Sequence, residues 1–356
     1  MFKWNKPLAA IDIGSHSIKL IQLKKTGKNY HLQHFGVMPL KNESIVDGTI
    51  MDAGAVIESI RNLVQMEKIK TKDVVTSVSG QSVIVKKIRI QQMTEKELAE
   101  SITWEAEQHI PFEISEVNLD FQIMPPPSDD DTPRDNQMDV ILVAARKSKL
   151  DDHIGILSEA GLNPVIVDTD VFAIENEFEI NGEPDDDDVT VLVDLGASAM
   201  NINILQHGTT LFQHDVAIGG NRYNEALQDE FEISYEDAEA LKMGVGFTDA
   251  YGLDEVLPLL VTVSEELCDE LKRSLDFFRS TAENTTIKNV VLSGGCARMK
   301  GLEVLFGKRL RMPVEIANPF RNIHYNGKVF DPEYLQDMAP MAAVGIGLAM
   351  RRMDDR

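Results

Sequence analysis

The sequence contains few cysteines and no long hydrophobic run. Cys268 and Cys296 are the only two cysteines in 356 residues. They lack the Cys-x-x-Cys spacing and the histidine cluster of a metal cage. We therefore expect no disulfide framework, and a reducing cytosol suits such a chain. The apolar run near the N-terminus, at 8–11, is too short for a secretion signal, and no ~18-residue apolar stretch occurs. The sequence thus predicts a protein that does not span a membrane.

Positive charge is also scarce. The chain has 35 Lys and Arg against 58 Asp and Glu, which gives a formal net charge of −23. Proteins hold nucleic acids largely through phosphate attraction, so this charge argues against a nucleic-acid partner. Hydrophobic residues make up 43% of the chain and charged residues 26%, which is a globular composition. The length allows two or three domains with a real core.

The first eighty residues predict a mixed unit of strands and a helix. The segments LAAIDIG, SIKLIQL and YHLQHFGV are expected to form strands between 8 and 37, with a turn at 26–29. A helix is expected at about 53–67, because Asp52 can serve as its N-cap and apolar residues recur there at helical spacing. A further strand is expected at 74–78.

The stretch from about 82 to 159 predicts a small inserted subdomain. It holds the strand SVIVKKIRI, a helix that begins at the capping box of Thr94 and Glu97 and ends by Pro111, two more strands and a second helix. Prolines at 125–127 and a run of aspartates separate those two strands, which predicts a surface loop.

The acidic, turn-rich segment GEPDDDD at 182–188 predicts the main domain boundary. Strand patterns restart beyond it, and a long helix is expected at about 256–283, where a regular apolar stripe is typical of a buried face. We expect a first half at 1–188 with the insertion at about 82–159, and a second half at 189–340. A C-terminal helix within 341–356 is expected to pack back on the first half.

Two short segments of one design lie in the two halves. Each follows an apolar strand and precedes another strand, and the segments are DIGSHSIK at 12–19 and DLGAS at 194–198. Glycine at such a turn lets backbone N–H groups approach a phosphate closely. A single Asp-x-Gly turn is usually an ordinary hairpin turn, so only the pair indicates a phosphate clamp.

The other residues of these segments suit the same ligand. Asp12 and Asp194, at strand ends, can organise a hydrated Mg²⁺ through water. The hydroxyls of Ser15 and Ser17 can donate to phosphate oxygens, and Lys19 can place a cation near the β- or γ-phosphate.

A third glycine-rich segment, LSGGCARMKGL at 292–302, lies between a predicted strand and a predicted helix. Its glycines can let a flat adenine lie along the backbone at a helix start. The alternative is a connection that needs glycine only for packing.

The order and spacing of these segments resemble the phosphate-1, phosphate-2 and adenosine motifs of the actin-like ATPases, over nearly the whole chain. Within that superfamily, phrases such as EAEQHIPF, ILVAARKSKLDDHIGILSEAGL and IGGNRYNEAL resemble the PilM family more than actin, Hsp70 or FtsA. The resemblance implies an α/β actin-like ATPase fold, built from duplicated ribonuclease H-like domains, with an FtsA-type inserted subdomain.

The resemblance also implies roles for matched residues around ATP and Mg²⁺. Two sets form the phosphate loops: Asp12, Gly14, Ser15, Ser17 and Lys19, then Asp194, Gly196 and Ser198. One turn lines the phosphate side of the cleft: Gly219, Gly220 and Asn221. The remaining residues face ribose and adenine: Glu239, Lys242, Gly294, Gly295, Cys296 and Met299. Without the motif context, Glu239 and Lys242 would be a solvated pair one helical turn apart.

The chain departs from the superfamily at Ala197, where actin-like enzymes often carry a second carboxylate near the metal and the attacking water. We therefore expect at most slow ATP hydrolysis. Asp168 or Asp170 could orient a water, but aspartates at a helix start are more often caps. An enzyme of the same superfamily, a kinase or a phosphatase, is one alternative, although no distinctive acid–base set is present.

The resemblance implies a cytoplasmic adaptor of type IV pilus assembly. Its expected partner is the short cytoplasmic N-terminal peptide of the membrane protein PilN, held between the first core and the inserted subdomain. Protein partners would recruit the chain to the inner face of the inner membrane. Other platform proteins and the motor ATPases are expected as indirect partners, with self-association possible. An FtsA-like cell-division scaffold is the other alternative, but this chain ends in MRRMDDR rather than in an amphipathic membrane helix.

Overall fold

The computed structural model describes residues 7–124, 136–182, 188–206, 208–247, 252–281 and 285–353. The prolines at 125–127 and most of the acidic segment 182–188 lie outside this range. The described residues form two halves, each built on one main sheet, and a smaller unit inserted in the first half.

The first half begins with an antiparallel meander, as expected from the sequence. Its elements in chain order are β1 (Ala9–Ile13), β2 (Ser17–Thr26), β3 (Asn29–Pro39), β4 (Ile45–Val46), β5 (Thr49–Ile50), α1 (Ala53–Met66) and β6 (Asp73–Val78). The Asp52 carboxylate accepts a bond from the backbone N–H of Ala55 at 3.0 Å and so caps α1. The apolar stripe of α1 is buried against the sheet, in a cluster that includes Ile60 and Ile11.

The inserted unit is a three-stranded sheet with one helix. Its elements are β7 (Val83–Gln91), α2 (Glu95–Glu107), β8 (Val117–Ile123) and β9 (Gln137–Arg146), in the sheet order β7-β9-β8. The predicted capping box is present, because Thr94 and Glu97 exchange both bonds at the start of α2. Leu98 and Ile102 of α2 pack on Ile88 and Leu142 of the sheet, which gives this unit a core of its own.

The chain then returns to the first half through α3 (Lys147–Glu159), β10 (Asn163–Thr169) and α4 (Asp170–Asn181). Ile156 and Leu157 of α3 belong to the same buried cluster as Ile60 of α1. This helix therefore contributes to the core of the first half, although the expected limit of the insertion, at about 159, included it. The limits of the domains themselves remain a prediction.

The second half repeats the strand plan of the first. Its elements are β11 (Val189–Leu195), β12 (Met200–Gln206), β13 (Thr209–Val216), α5 (Asn221–Phe231), α6 (Tyr235–Lys242), α7 (Leu253–Thr281), β14 (Ile287–Ser293), α8 (Leu302–Leu310) and β15 (Val314–Ile316). The sheet order is β13-β12-β11-β14-β15, where β11 to β13 form the meander and β14 and β15 are parallel to β11. The apolar stripe of α7 is buried against this sheet, as its periodicity predicts.

The first-half sheet has the order β10-β6-β1-β2-β3-β16, and its last strand comes from the far end of the chain. The closing elements are β16 (Ile323–His324), α9 (Pro332–Met338) and α10 (Ala343–Ala349). Small residues let α10 approach the first half closely: a Cβ on Gly347 would lie 1.7 Å from the backbone oxygen of Ala173 on α4, and one on Gly345 would lie 2.6 Å from Ile21. The C-terminal helix thus packs on the first half.

Candidate functional site

The two glycine turns have the same backbone structure. In the first, the Gly14 N–H donates to the Ser17 carbonyl at 3.1 Å, and in the second the Gly196 N–H donates to the Ala199 carbonyl at 2.9 Å. The flanking strands pair in the same register, with Ile13 opposite Ile18 and Leu195 opposite Met200. The repeat seen in the sequence is therefore a repeat of structure.

The two turns meet across the space between the halves. The hydroxyl oxygens of Ser15 and Ser198 lie 2.8 Å apart, within hydrogen-bond distance, although the residues are far apart in the chain. A second contact joins the halves nearby, where the His16 ring nitrogen Nδ1 lies 3.4 Å from the Tyr235 hydroxyl. The structure thus brings together the turns that the sequence predicts to form one clamp.

Lys19 and the aspartates Asp12, Asp170 and Asp194 line the cavity close to these turns. Lys19 Nζ lies 3.2 Å from Asp12 Oδ2. Burial raises the pKa of Asp12 above its ordinary value, although Lys19 opposes the shift. Burial and the nearby charge of Asp170 raise the pKa of Asp194 to about 7. Two buried carboxylates with raised pKa values, those of Asp12 and Asp194, favour a bound cation, because added positive charge stabilises their ionised forms.

A cavity of about 840 Å³ opens at this point, between the two halves. The predicted site residues on its wall are Asp12, Gly14, Ser15, Ser17, Lys19, Asp170, Asp194, Gly196, Ser198, Glu239, Lys242, Gly294, Gly295 and Cys296. The three glycine-rich segments therefore face one space, which is large enough for a nucleotide-sized ligand.

Glu239 and Lys242 of α6 form an ion pair in which Lys242 is buried and Glu239 is half-buried. Lys242 Nζ lies 2.5 Å from Glu239 Oε2, and the Lys242 side chain is 5% exposed. Asn224 donates a second bond to the same carboxylate oxygen at 2.8 Å. Burial alone would raise the pKa of Glu239, but Lys242 and Asn224 outweigh it, so the pKa lies below its ordinary value. The pair places a fixed carboxylate and a fixed ammonium on the cavity wall.

In the third glycine segment, Gly294 is tightly packed and Gly295 has free space beside it. Gly294 has φ +90°, and a Cβ there would lie 2.4 Å from the Leu195 backbone oxygen, so only glycine fits. A Cβ on Gly295 would meet no atom within 4 Å. The backbone at Gly295 therefore borders free space in the cavity, beside the Cys296 side chain.

Some predicted residues lie behind the wall instead of on it. The backbone N–H groups of Gly220 and Asn221 donate to the carbonyls of Gly196 and Ala197 at 2.9 and 2.8 Å. A Cβ on Gly219 would lie 2.6 Å from the same Gly196 oxygen. This turn supports the second glycine turn, at 196–199, from outside the cavity, and Met299 is buried in the core of the second half.

Asp168 and Asp170, where β10 passes into α4, point to different places. Asp170 is on the cavity wall and accepts a bond from the Ser77 hydroxyl at 2.5 Å. Asp168 is not on that wall, and its side chain, 4% exposed, forms an ion pair at 2.9 Å with Arg351 after α10. Of the two candidates for orienting water, only Asp170 faces the cavity.

The sequence motifs did not indicate Asn201 and Asp215, which also line the cavity. Asp215 is the next-to-last residue of β13 and accepts bonds from Asn201 Nδ2 at 2.8 Å and from the backbone N–H of Gly80 at 3.0 Å. No sequence pattern could find these residues, because their partners lie on other strands or in the other half.

No group of three or more His, Cys, Asp or Glu side chains placed to hold a metal directly occurs in the part of the chain that the structure describes. Over those same residues, no helix has the length and apolarity needed to cross a membrane.

Comparison with solved structures defines the class. Over 97% of this chain and 89% of its own, the ethanolamine utilization protein EutJ from Carboxydothermus hydrogenoformans has a TM-score of 0.58 at 14% identity. An MreB of Spiroplasma citri bound to AMPPNP has a TM-score of 0.51 at 12% identity, over 96% of this chain and 94% of its own. The fold is that of the actin-like ATPases, as the sequence motifs predicted.

The family follows from two further matches. The family model for the type IV pilus assembly protein PilM matches residues 10–353. A solved structure of a PilM-PilN type IV pilus biogenesis complex has a TM-score of 0.81 at 29% identity, over 98% of this chain and 99% of that chain. The chain belongs to the PilM family.

Proposed function

We propose that this chain binds ATP with Mg²⁺ in the cavity between its halves and acts as a cytoplasmic, nucleotide-dependent adaptor of type IV pilus assembly. The observation that carries the proposal is the contact of Ser15 with Ser198, which joins two turns of one backbone design from opposite halves. A ligand held by both turns would fix the relative position of the halves, because each half supplies part of its binding energy.

The residues of the cavity fit a magnesium nucleotide. The turns at 14–17 and 196–199 offer backbone N–H groups and serine hydroxyls to phosphate oxygens. Lys19 supplies a cation for the β- or γ-phosphate, and Asp12 and Asp194 would hold Mg²⁺ through water, which suits the absence of a direct ligand cluster among the described residues. Bound Mg²⁺ would supply positive charge to the phosphate oxygens.

Another part of the cavity wall fits the nucleoside. The Glu239 carboxylate can accept from ribose hydroxyls, while Lys242 holds it in place. The free space at Gly295 gives a flat base room to lie against the backbone. Membership of the PilM family supports the pilus role, and the EutJ and MreB structures support the fold only.

We propose at most slow hydrolysis of the bound ATP. Ala197 offers no carboxylate beside the second turn, and Asp168 is held by Arg351 away from the cavity. Asp170 is the remaining candidate for orienting a water, since it faces the cavity with one oxygen engaged by Ser77.

The proposed partner is the cytoplasmic N-terminal peptide of a PilN-like membrane protein, in the groove between the first core and the inserted unit. The similarity of this chain to a protein solved in a PilM-PilN complex supports this choice. Through such a partner the chain would be recruited to the inner face of the inner membrane. Contacts with other platform proteins and the motor ATPases, and self-association, are subsidiary parts of the proposal.

The test is calorimetric titration of a synthetic PilN N-terminal peptide into the protein, with and without Mg·AMPPNP. We expect the nucleotide to change the peptide affinity in the wild type, and Lys19→Ala and Asp194→Ala to lose both nucleotide binding and that change. Lys24→Ala is the matched control, because Lys24 is exposed on the same strand as Lys19 and outside the cavity. Peptide binding that is the same in all variants, with or without nucleotide, would refute the coupling.

A further inference from the structure

A row of polar side chains crosses the second-half sheet at the level of Asp194. Asp194 on β11 lies directly opposite Ser293 on β14 and Asn201 on β12. Asn201 in turn lies opposite Asp215 on β13. Side chains directly opposite on neighbouring strands interact across the sheet. These residues therefore lie in one register from the proposed magnesium site to β13, the edge strand of this sheet, and a hydrogen bond joins Asn201 to Asp215.

Asp215 at the end of the row accepts three hydrogen bonds. Its Oδ1 accepts from Asn201 Nδ2 at 2.8 Å and from Gln213 Nε2 at 3.1 Å. Its Oδ2 accepts from the backbone N–H of Gly80 at 3.0 Å. The last of these bonds crosses from the second half to the first. Hydrogen bonds to a charged acceptor are stronger than those between neutral groups. The bond from the Gly80 N–H to the Asp215 carboxylate is therefore a strong link between the two halves.

Gly80 lies at the point where the first core passes into the inserted unit. It follows β6, adopts φ +82°, and its carbonyl accepts from the Val83 N–H at 2.9 Å, where β7 begins. The returning strand is fixed at the same place, because the Arg146 N–H donates to the Ser82 carbonyl at 2.9 Å. Both the entry and the exit of the inserted unit are thus attached to the turn that Asp215 holds.

We propose that Asp215 is a positioning residue that ties the inserted unit to the phosphate end of the cavity. A change at Asp194 on nucleotide binding passes through Asn201 and Asp215 to the turn at Gly80, and from there to β7. This inference rests on the proposed function. It adds the route by which the effect of nucleotide binding is transmitted to the inserted unit, which borders the proposed peptide groove.

The test is hydrogen exchange of the backbone amides of residues 80–91, with and without Mg·AMPPNP. Each variant is measured at a saturating concentration set from its own calorimetric Kd. In the wild type we expect the nucleotide to slow these amides about tenfold, the effect of strengthening one charge-assisted hydrogen bond. In Asp215→Asn the Gly80 amide exchanges about tenfold faster than in the wild type without nucleotide, and the nucleotide has no effect on it.

The matched control is Thr210→Val on the same strand. Thr210 Oγ1 donates to Glu175 Oε2 on α4 at 2.7 Å, so it also joins β13 to the first half, but not at the turn that leads to β7. This variant should keep the full nucleotide response. Should Asp215→Asn fail to fold, Asn201→Ser cuts the row while leaving the Asp215–Gly80 bond, and should lose the nucleotide response but keep the basal protection of Gly80.

The outcomes separate this inference from the proposed function. Equal slowing in Asp215→Asn and the wild type, or its loss in Thr210→Val as well, would overturn the role of Asp215. Failure of the wild type to bind Mg·AMPPNP would instead refute the proposed function. Even then, the exchange rates of the Gly80 amide in the wild type and in Asp215→Asn, both without nucleotide, test whether Asp215 holds the turn at Gly80. Equal rates would refute that role.

Discussion

Replacing Gly295 with leucine should weaken nucleotide binding without disturbing the fold. A Cβ at this position meets no atom within 4 Å and Gly295 lies on the cavity wall, so the new side chain extends into the space assigned to the base. Gly295 does not have a positive φ, so leucine adds no backbone strain there.

The size of the effect follows from overlap with the ligand. Forcing extra methylene groups into a filled site costs about 1–3 kcal/mol, which corresponds to roughly a tenfold to hundredfold weaker Kd. The assay is isothermal calorimetry with Mg·AMPPNP, with thermal unfolding as the check on folding. Gly327→Leu is the matched control, because Gly327 is exposed, also has no atom within 4 Å of a Cβ, and lies outside the cavity.

A folded Gly295→Leu protein that binds Mg·AMPPNP with the wild-type Kd would refute the assignment of this wall to the base. Equal weakening in Gly295→Leu and Gly327→Leu would also refute it, because the effect would then not come from the cavity.

Two further predictions concern stability. Burial raises the pKa of Glu177 to about 8, so the native protein holds a proton that the unfolded chain loses above pH 4.5, and this contribution to stability falls as pH rises from about 4.5 to about 8. Glu177→Gln should therefore gain about 3 kcal/mol over the wild type between pH 5 and pH 8 and no more above that, as measured by urea unfolding; a gain independent of pH would contradict this account. Arg351→Ala should cost about 3 kcal/mol, because it removes the guanidinium that forms an ion pair with the buried Asp168 carboxylate. Much of that loss should be recovered in the double variant with Asp168→Asn, and no recovery would show that Arg351 acts through other contacts.

The parts of the site that the sequence predicted are those encoded locally. The turns at 14–17 and 196–199 each fit in one short segment between two strands, so a repeated Asp-x-Gly phrase is enough to identify them. The stripe of α7 and the cap of α1 are predictable for the same reason, because their spacing lies within one element.

The parts that the sequence did not predict depend on contacts between distant segments. Asp168 and Asp170 are two residues apart, but the first lies near the end of β10 and pairs with Arg351, whereas the second begins α4 at the cavity. Asp215 has no motif of its own, since its partners Asn201 and Gly80 come from another strand and from the other half. Such roles appear only after the chain is folded.

The packing of a two-residue strand and of the helix that follows the inserted unit was also beyond the sequence patterns. The two residues of β16 carry no period, yet they extend the first-half sheet beside β3. The helix α3 follows the inserted unit directly in the chain, but its apolar face, with Ile156 and Leu157, packs in the first core. Periodicity predicts which face of a helix is buried, but not which neighbour covers it.

The most direct test of the central claim is a crystal structure of the protein with Mg·AMPPNP. The account predicts that the β- and γ-phosphates lie between the turns at 14–17 and 196–199, within hydrogen-bond distance of backbone N–H groups of both, with the base beside Gly295. A nucleotide whose phosphates contact only one of the two turns, or that binds outside this cavity, would contradict it.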